Sequence, residues 1–222
     1  MGEIVPHRLS GVYTDGRTLY TINLVPGQSV YGEKLVPHLD VQYRAWNPKR
    51  SKLAAYILKG CEIFPFRSDS YVLYLGAATG TTASHLSDIV TEGSIYCVEI
   101  SPTPFRKLVT LCETRHNMVP ILEDAHTPET YENLVEKADI IYQDIAQKHQ
   151  VDILLRNLKL LKEDGTVFLM VKARSIDVTQ TPQDVYRSVI ASLNNAGLKV
   201  MDSQELVPFE KDHMAIVSKP LD

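Results

Sequence analysis

The sequence predicts an α/β fold: a doubly wound, mostly parallel seven-stranded sheet with an antiparallel edge strand, preceded by a small N-terminal antiparallel β appendage. Three observations carry this expectation. From residue 71 onward, strand-like runs alternate with helical segments, the pattern of βαβ units in a parallel sheet. The first of these strands runs directly into a glycine-bearing turn that opens a helix, where such sheets place their ligands. The last two strands are joined by residues 202–212, which carry no convincing helical pattern, and a helix-free connection favours an antiparallel pair.

Taken in order, the appendage comes first. Residues 12–20 place Asp15-Gly16 between β-prone residues, the signature of a tight hairpin. Pro26-Gly27 and Gly32 supply further turns, and Val30-Tyr31 is expected in another short strand, so the small β region is taken as residues 1–45. Asn47-Pro48 then reads as an N-cap with proline at the first helical position, opening a helix over 49–59 that Gly60 stops. Residues 46–222 form the second, larger unit. Its strands are expected at 71–75, 94–98, 118–122, 139–143, 165–171, 198–201 and 213–218, and its helices at 81–89, 104–115, 128–137, 147–161 and 182–195.

Composition narrows the function classes. With 44% apolar and 23% charged residues, the chain of 222 has the makings of a packed core rather than of a disordered segment. No apolar run is long enough to span a bilayer, and the amino end has no basic and apolar leader pattern, so a soluble, intracellular and cytoplasmic protein with no membrane role is expected. Cys61, Cys97 and Cys112 are spaced neither as a disulfide framework nor as a zinc clip, and the histidines show no ligand spacing, so no metal site is expected. The formal charge of −4 conceals an asymmetry: residues 1–70 carry nine Lys/Arg against six Asp/Glu. Arg44, Lys49, Arg50 and Lys52 fall within nine positions, a density suited either to a solvated helix face or to a polyanion.

Three turns at successive strand ends point to a nucleoside. The first, Gly76-Ala77-Ala78-Thr79-Gly80-Thr81-Thr82, departs from the dinucleotide fingerprint because Ala78 stands where the second glycine makes room for a pyrophosphate. Glu99 ends the second strand, where a carboxylate can accept both ribose hydroxyls. Asp124 and Ala125 end the third and suit the edge of an adenine ring. A single glycine turn is often only a tight connection, but three such turns in order favour a nucleoside without a diphosphate, and S-adenosylmethionine fits them. The larger unit is accordingly expected to have the S-adenosylmethionine-dependent methyltransferase fold.

Four segments resemble the fibrillarin family in its archaeal form: 44–55 (RAWNPKRSKLAA), 74–82 (YLGAATGTT), 142–147 (YQDIAQ) and 172–177 (KARSID). The resemblance runs over nearly the whole chain, without the Gly/Arg-rich tail of eukaryotic members, and departs at Ile100, where an aromatic is expected, and at Thr79, where serine is. It implies an S-adenosylmethionine-dependent RNA 2'-O-methyltransferase, with cofactor residues Gly76, Ala77, Thr81, Thr82, Glu99, Ile100, Asp124, Ala125, Asp144, Ile145, Ala146 and Gln147. The family's Lys-Asp-Lys-His set maps onto Lys52, Asp144, Lys172 and His213.

Methyl transfer to a hydroxyl is an in-line displacement that needs alignment and removal of a proton. Asp144 closes the fourth strand and Lys172 the fifth, with Lys52 on the preceding helix, so a carboxylate between two ammoniums is possible at the sheet's carboxyl edge. Lys172 is the expected proton acceptor, because neighbouring cations favour a neutral amine. Asp144 would orient it, and Lys52 would hold the ribose or its phosphate. The basic stretch beside Lys52 could guide RNA, yet an acidic protein offers little independent affinity for a polyanion. The resemblance implies the remaining parts: a box C/D guide RNA that selects the rRNA or tRNA nucleotide, a Nop-domain scaffold protein and a kink-turn-binding ribosomal-type protein. The competing expectations are a noncatalytic scaffold of the same fold and a protein or small-molecule methyltransferase. The first is opposed by intact Lys52, Asp144 and Lys172, the second by the lack of a substrate-covering insertion.

Overall fold

A computed structural model describes residues 2–221 as two sheets with helices around the larger one. The first sheet holds β1 (Val5–Pro6), β2 (Tyr13–Thr14), β3 (Leu19–Ile22), β4 (Leu35–His38) and β5 (Val41–Trp46), all antiparallel, in the order β1-β2-β3-β5-β4. The hairpin turn forms between β2 and β3 because Asp15 gathers it: its carboxylate accepts the Arg17 and Thr18 amides and the Tyr20 hydroxyl, while Gly16 takes the left-handed φ of +86°. The strand expected at Val30-Tyr31 is not there. Both amides are instead bound by the Glu33 carboxylate, which turns that segment and displaces the strand to β4.

Helix α1 (Lys52–Leu58) is capped by Ser51, whose hydroxyl accepts the Ala54 amide, and not by Asn47. Asn47 accepts the Lys49 amide and starts a separate turn over 47–50, so the helix begins three residues later than expected. The larger sheet then forms from β6 (Tyr71–Leu75), β7 (Ser94–Glu99), β8 (Met118–Leu122), β9 (Ala138–Gln143), β10 (Leu161–Lys172), β11 (Leu198–Glu205) and β12 (His213–Pro220). Their order is β11-β12-β10-β9-β6-β7-β8; β12 runs antiparallel to both neighbours, and β10-β9-β6-β7-β8 are parallel. Chain order reverses between β6 and β9, so the crevice above their carboxyl ends is the ligand position of such a sheet.

Helices α2 (Thr81–Ile89) and α3 (Pro102–Cys112), with α1, supply the core on one face, whereas α4 (Gln150–Asn157) and α6 (Pro182–Asn195) cover the other; the short α5 (Ala173–Ile176) follows β10. No α-helix spans 128–137. Two single 3₁₀ turns, Pro128–Thr130 and Glu132–Leu134, flank Tyr131, whose ring is buried and whose hydroxyl donates to Asn157 at 2.5 Å. That anchor sets Tyr131 at φ −130°, outside helical range.

The two sheets share a core, in which Val12, Leu19 and Trp46 join Leu53, Ala83 and Leu86. They also share a buried ion network. Arg44 of β5 donates to Glu33 at 2.7 Å and to Asp88 of α2 at 2.8 Å, and Arg115 reaches the other oxygen of Asp88 at 2.7 Å. Arg44 is therefore not part of an RNA-facing basic group; two arginines and two carboxylates neutralise one another out of water. Among the described residues no helix is long and apolar enough to cross a membrane.

Candidate active site

The turn after β6 is built around close backbone approach at the crevice. Gly76 (φ +82°) donates its amide to the Val98 carbonyl at 2.9 Å, and a Cβ there would stand 2.6 Å from the Asp144 carbonyl oxygen. Only glycine lets the turns after β6 and β9 meet in this way. Ala78, at φ +49°, holds a left-handed conformation that disfavours a side chain, and its amide donates to Glu99 at 2.8 Å.

Glu99, the last residue of β7, is thereby fixed. Its second oxygen accepts the Ser101 amide at 2.8 Å, so two backbone donors orient the carboxylate and each oxygen retains a lone pair. Asp124, past β8, accepts the His126 amide with Oδ1, and its Oδ2 has no partner among the described residues. Glu99 and Asp124, with Gly76, Ala125 and Asp144, wall a cleft of about 230 Å³ at the carboxyl ends of the parallel strands. Ile100, Ile145, Ala146 and Gln147 also reach it. The donor set suits S-adenosylmethionine: a carboxylate for a ribose diol and a second acceptor beside a small residue.

Three expected cofactor residues stand off the cleft. Ala77 is buried, Thr81 opens α2 with its carbonyl accepting the Ser84 hydroxyl, and Thr82 donates to the Ser51 hydroxyl at 2.9 Å. Thr82 thus ties α2 to the cap of α1, the helix that carries Lys52. Four contributors escaped sequence reasoning: Ala78 and Ser101, which act through amides; Val98, through its carbonyl; and Ile153 of α4, which lines the cleft. None of the backbone roles leaves a residue-type signal.

Strand parity brings the four expected catalytic residues to one edge. Phe168 and Met170 of β10 and Ala215 and Val217 of β12 face the α1 side, so Lys172 and His213, which stand opposite one another in register, continue that face. From α1, Lys52 reaches across and binds both oxygens of Asp144, at 2.6 and 2.9 Å, each side chain about one-fifth exposed. The carboxylate expected to orient Lys172 is thus bonded to Lys52, and the Lys172 side-chain nitrogen has no partner among the described residues. His213 donates its Nδ1–H to the Lys211 carbonyl at 2.7 Å; burial depresses its pKa, the Lys211 carbonyl opposes this, and the nearby Lys52 adds to it. Tyr74 and Tyr142, whose rings lie 4.6 Å apart and tilted by 39°, have phenols held protonated mainly by burial, with Asp144 adding at Tyr74 and Tyr74 and then Asp144 adding at Tyr142.

The fibrillarin family model matches residues 4–221. The chain belongs to the fibrillarin family. Among curated fibrillarin family members, it is 49% identical to a fibrillarin-like rRNA/tRNA 2'-O-methyltransferase of Methanothermobacter thermautotrophicus, covering 95% of each chain. It is 48% identical to the protein of the same description from Methanopyrus kandleri, over 98% of this chain and 97% of that one. Solved family structures superpose closely. The Methanococcus jannaschii fibrillarin pre-rRNA processing protein matches with a TM-score of 0.94 at 42% identity, over 99% of both chains. Aeropyrum pernix fibrillarin, solved with natively bound S-adenosylmethionine, gives 0.88 at 45% over 98% of this chain and all of that one. A fibrillarin/Nop5p complex gives 0.90 at 46%, over 97% and 100%.

Proposed function

We propose that this chain is the S-adenosylmethionine-dependent RNA 2'-O-methyltransferase of a box C/D guide ribonucleoprotein, acting on a ribose 2'-hydroxyl of rRNA or tRNA. The observation that carries the reading is the Lys52–Asp144 ion pair at the wall of the cleft that Gly76, Glu99 and Asp124 complete. The naming of its archaeal relatives and the cofactor in the Aeropyrum pernix structure support it.

S-adenosylmethionine, when bound, supplies a methyl group on a positively charged sulfur. The protein's own share is positioning and proton handling. Glu99 offers its remaining lone pairs to the ribose hydroxyls, and Asp124 with Ala125 faces the adenine edge. Asp144 pins Lys52, whose ammonium steadies the substrate ribose or its phosphate. Lys172, left without a carboxylate partner, accepts the 2'-hydroxyl proton in its unprotonated amine form as the methyl is transferred, and His213 stands across from it on β12.

With a formal charge of −4, the chain has little affinity of its own for RNA, so recognition falls to partners. The fibrillarin/Nop5p complex supports a Nop-domain scaffold. A guide RNA and a kink-turn-binding ribosomal-type protein complete the assembly. Reconstitution tests it: with all components present, the nucleotide paired to the guide gains a ribose methyl and scrambled guides move or abolish it. Cofactor binding and full assembly without any transfer would make the chain a scaffold instead.

A further inference from the structure

Two clefts outside the cofactor site adjoin one another. The first, about 520 Å³, lies against the N-terminal sheet with Arg17, Lys34 and Arg50 on its walls. The second, about 390 Å³, is walled by Lys107 and Thr110 of α3 and by Thr79 of the cofactor turn. Tyr31 and Arg50 line both, so the two clefts adjoin at that pair and are taken together as one groove. The Arg50 guanidinium sits over the Tyr31 ring, 5.9 Å from its centre.

The groove is cationic although the protein is acidic. Its one carboxylate, Glu33, is consumed internally, bonded to Arg44 and to the Val30 and Tyr31 amides. Arg17, Arg50 and Lys107 are exposed and come from three separate segments: the tip beside the first hairpin, the approach to α1, and α3. Their grouping is made by tertiary structure and not by a charged run. The groove also borders segments that carry the site. Arg50 lies two residues before Lys52, and Thr79 belongs to the turn whose next amide neighbour, Ala78, holds Glu99.

We infer that this groove is a seat for the RNA strand flanking the methylated nucleotide, with phosphates on Arg17, Arg50 and Lys107. The inference rests on the methyltransferase reading above and adds to it where the substrate lies. Two guanidiniums and an ammonium on the walls of adjoining clefts, with no free carboxylate among the lining residues, suit a polyanion backbone better than an ordinary mixed-charge protein partner. The Arg50–Tyr31 pair adds a flat face suited to stacking with a base.

The test uses the fully reconstituted complex carrying Arg17→Ala, Arg50→Ala and Lys107→Ala together, all surface changes that leave the core untouched. The expected result is a higher KM for substrate RNA with kcat and S-adenosylmethionine affinity preserved. The slope of log affinity against log salt should become shallower by about two to three, because each lost phosphate contact removes somewhat under one. Photocrosslinking should also join Tyr31 to substrate. An unchanged salt slope with wild-type KM overturns the inference, as does weakened scaffold assembly with the RNA slope intact, which would make the groove a protein interface. A wild-type complex that transfers no methyl to guide-paired RNA instead defeats the methyltransferase reading, before any variant is compared, and the groove falls with it.

Discussion

Glu99 shows how much one side chain can depend on backbone that the sequence does not advertise. A carboxylate at the end of the second strand is readable from spacing, but its orientation comes from the amides of Ala78 and Ser101. Replacing it by alanine removes charge-assisted acceptors for the ribose hydroxyls and frees both amides. Glu99→Ala is expected to weaken S-adenosylmethionine by roughly 1 to 3 kcal/mol, measured by calorimetric titration. An unchanged dissociation constant would remove Glu99 from the cofactor site. His85 and His213 make a second prediction at this scale. Burial holds both imidazoles below their ordinary value of 6.5, with Arg44 and Arg115 adding to this at His85 and Lys52 at His213. The unfolded chain therefore binds protons that the folded chain refuses, so stability is full above pH 6.5 and declines as pH falls below it. Urea midpoints at pH 7.5 and 5.5 should differ in that direction, and His213→Gln should flatten the difference.

At the scale of elements, the alternating pattern from residue 71 was legible because the central strands bury both faces and helices such as α3, α4 and α6 only one, and that periodicity survives in sequence. What was not legible is where tertiary anchors override local pattern. Tyr131, pulled into the core towards Asn157, breaks an expected helix into 3₁₀ turns, and Glu33 turns the segment that looked like a strand. Arg44 is the plainest case: it sits in a basic run by sequence and in a buried network by structure. Asp88 is the centre of that network, bonding Arg44, Arg115, Thr21 and the Leu24 amide. Asp88→Asn would leave two buried guanidiniums with a single carboxylate, Glu33. A loss of about 3 to 5 kcal/mol in urea unfolding is expected, and a loss within experimental error would show that the network does not brace the two sheets. The tie between Ser51 and Thr82 belongs here too. Thr82, which the family resemblance places among the cofactor residues, also donates its hydroxyl to Ser51 and so braces the helix that carries Lys52. Thr82→Val should lower turnover more than cofactor affinity.

For the whole molecule, the shared core of the two sheets and the ion network between them imply one unfolding transition, seen alike by probes in either sheet. The same architecture collects the site from distant segments: Lys52 and Asp144 are joined across 92 residues. Their meeting was readable from strand ends and from family resemblance, whereas the pairing of Asp144 with Lys52 rather than Lys172 needed coordinates. A net charge of −4 predicts that the isolated chain binds cofactor but methylates bare RNA poorly at physiological salt, and that assembly restores the rate. The most direct measurement is the single-turnover rate of methyl transfer in the reconstituted complex carrying Lys172→Ala, with cofactor saturation checked separately. The expected result is a rate lower by on the order of a hundredfold to ten-thousandfold, with S-adenosylmethionine affinity and assembly unchanged. A near-normal rate at a saturated cofactor site would contradict it, leaving Lys172 structural and the proton to Asp144 or water.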